Sequence, residues 1–330
     1  MSDGYATKGL PPPPEVSLKT LPMAGLLVDV YGIDELPPAA PVTCLWLLHP
    51  RTRTRGRMYD IASRTIHAWK TQSPAPSRGL VALAFDMPNH GTREVDATAN
   101  KSWDQGNEQH ALDLLGMVKG GRMDMSALMD LVAGYLGREV DAHVCLGWSL
   151  GGHAAWQSWF GEERIDAAVV VVGCPDQIGL MAGRFKECPL DCEGDFLGSR
   201  FFPPDLVATC ERHDPKALLF GTSEPPALPL GKEEQARLRG VLEARVRGKK
   251  LLACSGGEDP LVPYGKSAAM LALLRDAAEG WFADGGVVVE DRVYEGVGHR
   301  FSKDMVVDAV AWLVKVVGEG PRERTERARM

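Results

Sequence analysis

The alternation of short apolar runs with longer amphipathic stretches restricts the fold of this chain more than any other feature of its sequence. Several runs are apolar without polar alternation, as in strands that are buried on both faces of a parallel sheet. These runs are 42–48, 80–85, 142–146, 167–172 and 250–254. A further run at 287–293 contains three charged residues and is predicted nearer an edge, and residues 16–31 are predicted to form an antiparallel hairpin at one edge.

The amphipathic stretches between these runs have the periodicity of helices. The predicted helices are 58–70, 110–117, 126–136, 150–160, 266–279 and 304–317. Strands that alternate with helices in this order favour a mostly parallel, twisted sheet with helices on both faces. The sequence therefore predicts an α/β protein.

One segment, residues 174–248, interrupts this alternation because it is rich in proline, glycine, phenylalanine and charge. It separates two predicted strands, so we expect an inserted cap or lid above the carboxyl ends of the strands, where open α/β sheets bind ligands. The core then comprises 15–173 and 249–317, between a flexible N-terminal lead at 1–14 and a charged C-terminal tail at 318–330.

Composition narrows the class of partner. The 330 residues carry a formal net charge of −7, which gives no electrostatic reason to bind nucleic acid. Neither a secretory signal nor a run long enough to cross a bilayer is recognised, so we expect no membrane insertion and a cytoplasmic protein. The seven cysteines are scattered and are read as free thiols rather than zinc ligands. A homodimer is left open.

The segment with most chemical content is Gly147-Trp148-Ser149-Leu150-Gly151, which lies between a predicted strand and a predicted helix. A G-x-S-x-G pattern in this position is the nucleophile elbow, a sharp turn that presents a serine at the edge of the sheet. The small residues let strand and helix approach each other, and the amide of Leu150 at the helix N-terminus faces a developing oxyanion. Ser149 is the predicted nucleophile.

At this point the sequence resembles the α/β-hydrolase superfamily, in particular serine esterases and lactonases with an inserted lid. The resemblance covers about residues 40–317 and also rests on Leu47-Leu48-His49-Pro50 and on the loop 84–91, which are similar to the loops after the third and fourth strands of that family. It implies an α/β-hydrolase fold and a Ser-His-Asp triad in the chain order serine, acid, histidine.

The acid and the base come from two later loops. Residues 255–263 (SGGEDPLVP) are similar to the acid loop of the family, which makes Asp259 the acid, with the adjacent Glu258 as the alternative. His299 lies in a glycine-rich loop between the last predicted strand and the closing helix and matches the base of the family. His153, one helical turn after Ser149, is expected to pack behind the elbow.

The resemblance places a second oxyanion donor in the loop after Leu48. The family has glycine after the histidine, but this chain has Pro50, which carries no N–H. The N–H of Arg51 is therefore assigned with that of Leu150 to the oxyanion hole. Arg51, Arg53, Arg55 and Arg57 crowd this loop. They are read either as a solvated loop or as a source of one arginine that recognises a carboxylate or phosphate of the substrate.

Aromatic side chains are weaker candidates for substrate contact. They are Trp148, Trp103, Phe185 and Phe202. For the phenylalanines, with Phe196 and Phe201, the alternative is that they pack the insertion onto the core. For Trp103, with Asn100, Asn107 and His110, the alternative is that they cap and pack the following helix.

Together these features predict a serine hydrolase that cleaves a small-molecule carboxylic ester, lactone or thioester through an acyl-enzyme. No metal and no organic cofactor are required, and neither a dinucleotide fingerprint nor a phosphate-binding P-loop is found. Three alternatives stay open: an amidase or peptidase with the same triad, an acyltransferase, and a catalytically silent ligand-binding protein.

Overall fold

The computed structural model describes residues 6–323, so residues 1–5 of the predicted lead and 324–330 of the predicted tail lie outside it. Eight strands form one sheet in the order β1-β2-β4-β3-β5-β6-β7-β8. The strands are β1 (Leu18–Met23), β2 (Leu26–Tyr31), β3 (Val42–Leu48), β4 (Gly79–Phe85), β5 (Val140–Trp148), β6 (Ile165–Val171), β7 (Lys250–Gly256) and β8 (Val288–Tyr294).

The pairing agrees with the predicted sheet. β1 and β2 form an antiparallel hairpin that pairs with β4, and all pairs from β4 to β8 are parallel. Every residue of β3, β4 and β6 is buried, which explains why their sequences are apolar except for Thr43 and Asp166. β8 lies at the edge opposite the hairpin, as its charged residues predict. The predicted mostly parallel α/β fold is confirmed.

Helices cover both faces of the sheet. Those in the described chain are α1 (Tyr59–Lys70), α2 (His110–Leu136), α3 (Leu150–Gly161), α4 (Gln177–Glu187), α5 (Pro204–His213), α6 (Pro215–Phe220), α7 (Lys232–Val246), α8 (Gly265–Glu279) and α9 (Lys303–Glu319). α1 and α9 bury their apolar residues against one face, whereas α2, α3, α7 and α8 pack against the other. Within residues 6–323, no helix is long and apolar enough to cross a membrane.

The two helices predicted at 110–117 and 126–136 are one helix, α2, and that part of the prediction is wrong. The glycines between them do not break the helix but let it approach the loop after β4. A Cβ atom on Gly121 would lie 2.5 Å from Met87, and one on Gly120 would lie 2.8 Å from Pro88. These two glycines therefore belong to a contact surface of α2 and do not mark a helix end.

Residues 174–248 contain α4 to α7, and α7 packs Leu238, Leu242 and Val246 into the core before the chain enters β7. Near α4 an aromatic cluster forms in which Phe185 stacks on Phe196 with ring centroids 4.8 Å apart. The remaining members are Trp103, Phe201 and Phe202. These contacts join the segment to the turn that precedes α2.

The part of the N-terminal segment that the structure describes lies against the core. Thr7 donates to Asp60 of α1 at 2.6 Å, and Leu10 packs on the cluster beneath α1 and α9. Ala6 reaches the cavity described below.

Candidate active site

Ser149 stands on a strained turn between β5 and α3. Its φ of 56° and ψ of −112° are unusual for a residue with a side chain. The turn is tight because a Cβ atom on Gly147 would lie 1.9 Å from the carbonyl oxygen of Gly151, and one on Gly151 would lie 2.0 Å from that of Leu48. Glycine is therefore required at both positions, and the geometry presents the Ser149 hydroxyl above the carboxyl ends of the strands.

The three residues predicted as nucleophile, base and acid are brought together from distant parts of the chain. Oγ of Ser149 lies 2.7 Å from Nε2 of His299, and Nδ1 of His299 lies 2.8 Å from Oδ2 of Asp259. This network assigns the proton of the neutral imidazole to Nδ1, where it is donated to the carboxylate, and leaves Nε2 to accept from the hydroxyl. The arrangement suits proton transfer from Ser149 to His299.

Asp259 is fixed by its own loop. Its Oδ1 accepts hydrogen bonds from the N–H groups of Leu261 and Val262, each at 2.9 Å, and its carboxylate is buried. The alternative acid, Glu258, is exposed to solvent. The geometry therefore favours Asp259 as the partner of His299.

The predicted oxyanion donors both line the cavity beside Ser149. Within the described chain, the N–H groups of Leu150 and Arg51 donate no hydrogen bond. His49 holds the shape of the Arg51 loop, because its Nε2 accepts from the N–H of Met87 and its Nδ1 donates to the carbonyl of Pro50, both at 2.9 Å. Burial lowers the pKa of His49 to about 4, so it is a neutral structural bridge at pH 7.

Ser149 and His299 open into a cavity of about 730 Å³. Four arginines line it, and no aspartate or glutamate of residues 6–323 does; the arginines are Arg51, Arg53, Arg57 and Arg184. Trp148 also lines the cavity and has the guanidinium of Arg57 4.8 Å above its ring centroid.

The arginines of the loop after β3 have different surroundings. Arg55 forms ion pairs with Asp86 at 2.6 Å and with Asp29 at 3.1 Å, and it does not belong to the cavity lining in the described chain. The hypothesis that Arg55 recognises the substrate is therefore replaced by a role in fixing the loop. Arg51 instead donates to the carbonyl of Asn100 at 3.2 Å.

Arg184 was missed by sequence reasoning. It lies on α4, donates to the carbonyl of Leu261 at 2.9 Å, and has Nη1 3.4 Å from Nε2 of His110. It thus contacts the acid loop and the first residue of α2. Arg184 is a single arginine in a segment for which no helix was predicted, so no sequence motif marked it. It could have been found only if α4 and the helix face that points to the cavity had been predicted.

Of the four aromatic side chains predicted to contact the substrate, one lies at the cavity and three do not. Trp148 is at the cavity, whereas the structure packs Trp103, Phe185 and Phe202 into the aromatic cluster and does not bring them to its wall. The packing alternative explains these three side chains better. Asn107, grouped with Trp103 in the sequence, donates to Asp113 of α2 and to the carbonyls of Ala99 and Lys101, which precede that helix.

His153 does line the cavity but is buried, with its Nδ1 3.2 Å from the N–H of Cys174. Burial lowers its pKa to about 4. Burial and the charges of Arg51 and Arg184 lower the pKa of His110 to about 3. Both histidines are neutral at pH 7 and neither contacts the Ser149 hydroxyl.

The sequence and the fold are both similar to those of known proteins. The model of the Alpha/beta hydrolase family matches residues 47–314, which is most of the chain. The chain belongs to the alpha/beta hydrolase family. Membership supports a hydrolase in general and confirms the family that the sequence motifs resemble. A search of curated proteins found no match.

Solved structures share this family fold. The crystal structure of TT1662 from Thermus thermophilus is 18% identical, with a TM-score of 0.59, and the match covers 93% of this chain and 100% of that one. A puromycin hydrolase matches at 17% identity and a TM-score of 0.51, over 96% of this chain and 41% of that one. A puromycin-hydrolyzing peptidase of Mycobacterium tuberculosis matches at 16% identity and a TM-score of 0.50, over 92% of this chain and 40% of that one. At these identities the likeness concerns the fold alone.

Proposed function

We propose that this alpha/beta hydrolase cleaves a carboxylic ester, with lactones and thioesters in the same class, through an acyl-enzyme on Ser149. The observation that carries the proposal is the continuous hydrogen-bonded chain from the Ser149 hydroxyl through His299 to the buried Asp259, at 2.7 and 2.8 Å. A serine hydroxyl becomes a competent nucleophile when such a base accepts its proton.

In the proposed reaction, Oγ of Ser149 attacks the ester carbonyl carbon while its proton passes to Nε2 of His299. The carbonyl oxygen gains negative charge and is stabilised by the N–H groups of Leu150 and Arg51. His299 then protonates the leaving alcohol as the carbon–oxygen bond breaks. Water repeats the sequence, so that the acid is released and Ser149 regains its proton. Asp259 keeps the imidazole in its reactive tautomer and stabilises the imidazolium.

The substrate in this proposal is a small molecule that fits a cavity of about 730 Å³. The chemistry needs neither a metal nor an organic cofactor. A cytoplasmic location stays a prediction from the sequence, and the sequence leaves a homodimer open.

Labelling with a fluorophosphonate probe tests the proposal. The parent protein and Ser77→Ala, which changes an exposed serine, are expected to be labelled, whereas Ser149→Ala is not. A folded parent that is never labelled contradicts the proposal.

A panel of esters, lactones, thioesters and amides then separates ester hydrolysis from amidase activity. Products formed with added alcohols or amines reveal acyl transfer. Cleavage of amides but not of esters would assign the same triad to a peptidase or amidase.

A further inference from the structure

The arginines at the cavity differ from those of a solvated loop, because two of them are half-buried and line the same cavity as Ser149 and His299. Arg51 and Arg184 come from different parts of the fold, the loop after β3 and helix α4, and both face the cavity that holds Ser149. The third and fourth, Arg53 and Arg57, lie on the same loop as Arg51. The positive charge of the cavity lining is thus carried by the loop after β3 and by α4, which together are called the arginine wall.

Within the described chain, neither Arg51 nor Arg184 forms an ion pair with a carboxylate. Arg51 donates to a carbonyl, and Arg184 donates to a carbonyl and to neutral His110. Asp104, an exposed side chain on the turn before α2, is the carboxylate whose charge acts on Arg51, and it is held by Ser102. Each guanidinium therefore keeps N–H donors that the protein itself does not use.

The electrostatics of this wall are unfavourable without a ligand. Burial and the neighbouring charge of Arg51 lower the pKa of Arg184 to about 10, and burial lowers the pKa of Arg51. Arg184 still carries its charge at pH 7. Two like charges held half-buried at one cavity cost free energy, which a bound anion offsets.

We propose that Arg51 and Arg184 bind an anionic group of the substrate, a carboxylate or a phosphate, so that the enzyme selects esters that carry negative charge. This inference rests on the proposed function and names its substrate class. The planar fork of each guanidinium donates paired N–H groups to such oxygens, and the cavity has no acidic lining residue within 6–323 to repel them. Neutral esters lack this interaction.

Two pairs of esters test the selection on either side of the scissile bond. For the acyl side, the mono-p-nitrophenyl ester of glutarate is compared with its methyl ester; for the alcohol side, p-acetoxybenzoate is compared with methyl p-acetoxybenzoate. The readout is the ratio of kcat/KM for the anionic to the neutral member. We expect this ratio to exceed about 10 for at least one pair, because a charged hydrogen bond is worth that much discrimination.

The variants Arg184→Gln and Arg51→Gln are expected to reduce that ratio by about 10- to 100-fold, mainly through KM. Arg239→Gln is the matched control, because it removes one half-exposed positive charge that pairs with Asp284, and neither residue lines the cavity. It should leave the ratio unchanged. If the arginines only brace the loops, both members of each pair lose activity alike. A wild-type ratio near one for both pairs, or an unchanged ratio in both variants, overturns the proposal.

Inhibition by free glutarate and by inorganic phosphate distinguishes the two anions. Stronger competition by glutarate supports a carboxylate, stronger competition by phosphate supports a phosphate, and the absence of competition by either contradicts anion binding. If neither esters nor the fluorophosphonate react, the proposed function fails. Calorimetric titration of the folded protein and of Arg184→Gln with the same two anions then still decides whether the arginines bind them.

Discussion

Two walls of one cavity are built on opposite principles. On the wall with Ser149, His299 and Asp259, each of these three side chains has a hydrogen-bond partner inside the protein, down to the backbone donors that hold the Asp259 carboxylate. On the arginine wall, the guanidinium groups of Arg51 and Arg184 have no carboxylate partner within the described residues. The hydrogen bonds among the three side chains of the first wall are formed before a substrate arrives. The two arginines of the second wall gain an anionic partner only from the substrate. Changes to the first should therefore affect all substrates, and changes to the second only charged ones.

The largest expected effect is on the first wall. Ser149→Ala removes the proposed nucleophile and should lower kcat about 10⁴-fold or more for anionic and neutral esters alike. Steady-state kinetics on both ester pairs measure it, with Ser77→Ala as control. A variant that kept substantial turnover would remove Ser149 from the reaction.

Asp259→Asn should lower kcat by about 10³- to 10⁴-fold, because the amide no longer holds the imidazole in its reactive tautomer. Glu258→Gln changes the adjacent, exposed carboxylate and is the matched control; it should stay within about threefold of the parent. Equal losses in both variants would show that the loop, rather than the contact between Asp259 and His299, matters.

Arg55→Gln tests whether an arginine with internal partners behaves differently from the ligand-facing pair. The carboxylate of Asp86 is 1% exposed, so loss of its ion pair should cost about 3 kcal/mol in the free energy of unfolding. Urea denaturation measures this loss. The anionic-to-neutral ratio of kcat/KM should not change, and a selective loss on anionic esters would place Arg55 with Arg51 and Arg184.

The smallest effect at neutral pH concerns His110, which lies against Arg184. Its pKa of about 3 in the folded protein is below the ordinary value of 6.5, so the unfolded chain binds more protons between these values. Stability should fall as the pH falls from about 6.5, by up to about 1.4 kcal/mol per pH unit from this group. His110→Asn should make the pH dependence of unfolding shallower by that amount, and an unchanged slope would contradict a neutral His110.

The sequence was most informative where burial is complete. β3 was predicted at its observed bounds, and the neighbouring strands within a few residues, because a strand buried on both faces has an unbroken apolar sequence. The convergence of Ser149, Asp259 and His299 followed from motif context, since parallel strands bring their carboxyl ends to one edge. These positions depend on local sequence and on the sheet.

What the sequence did not predict depends on contacts between distant segments. The glycines of α2 marked a close approach to Met87 and Pro88, which no local pattern distinguishes from a helix end. Arg51 and Arg55 lie in the same arginine-rich loop, and nothing in the local sequence assigns them different roles. Their roles differ because Asp29 and Asp86 lie beside Arg55 in the fold. Arg184 joins the cavity through the path of α4, which propensity alone does not fix.

The most direct test of the account is peptide mapping of the protein after acid quenching of its reaction with p-nitrophenyl acetate. The account predicts an acetyl group on the peptide that contains Ser149, and the loss of that group in His299→Gln, because acylation needs the base that accepts the Ser149 proton. In the parent, acetylation of Ser149 and of no other serine is the required result. Turnover by a folded parent with the acyl group on another residue, or with no acyl-enzyme under any quench time, would contradict it.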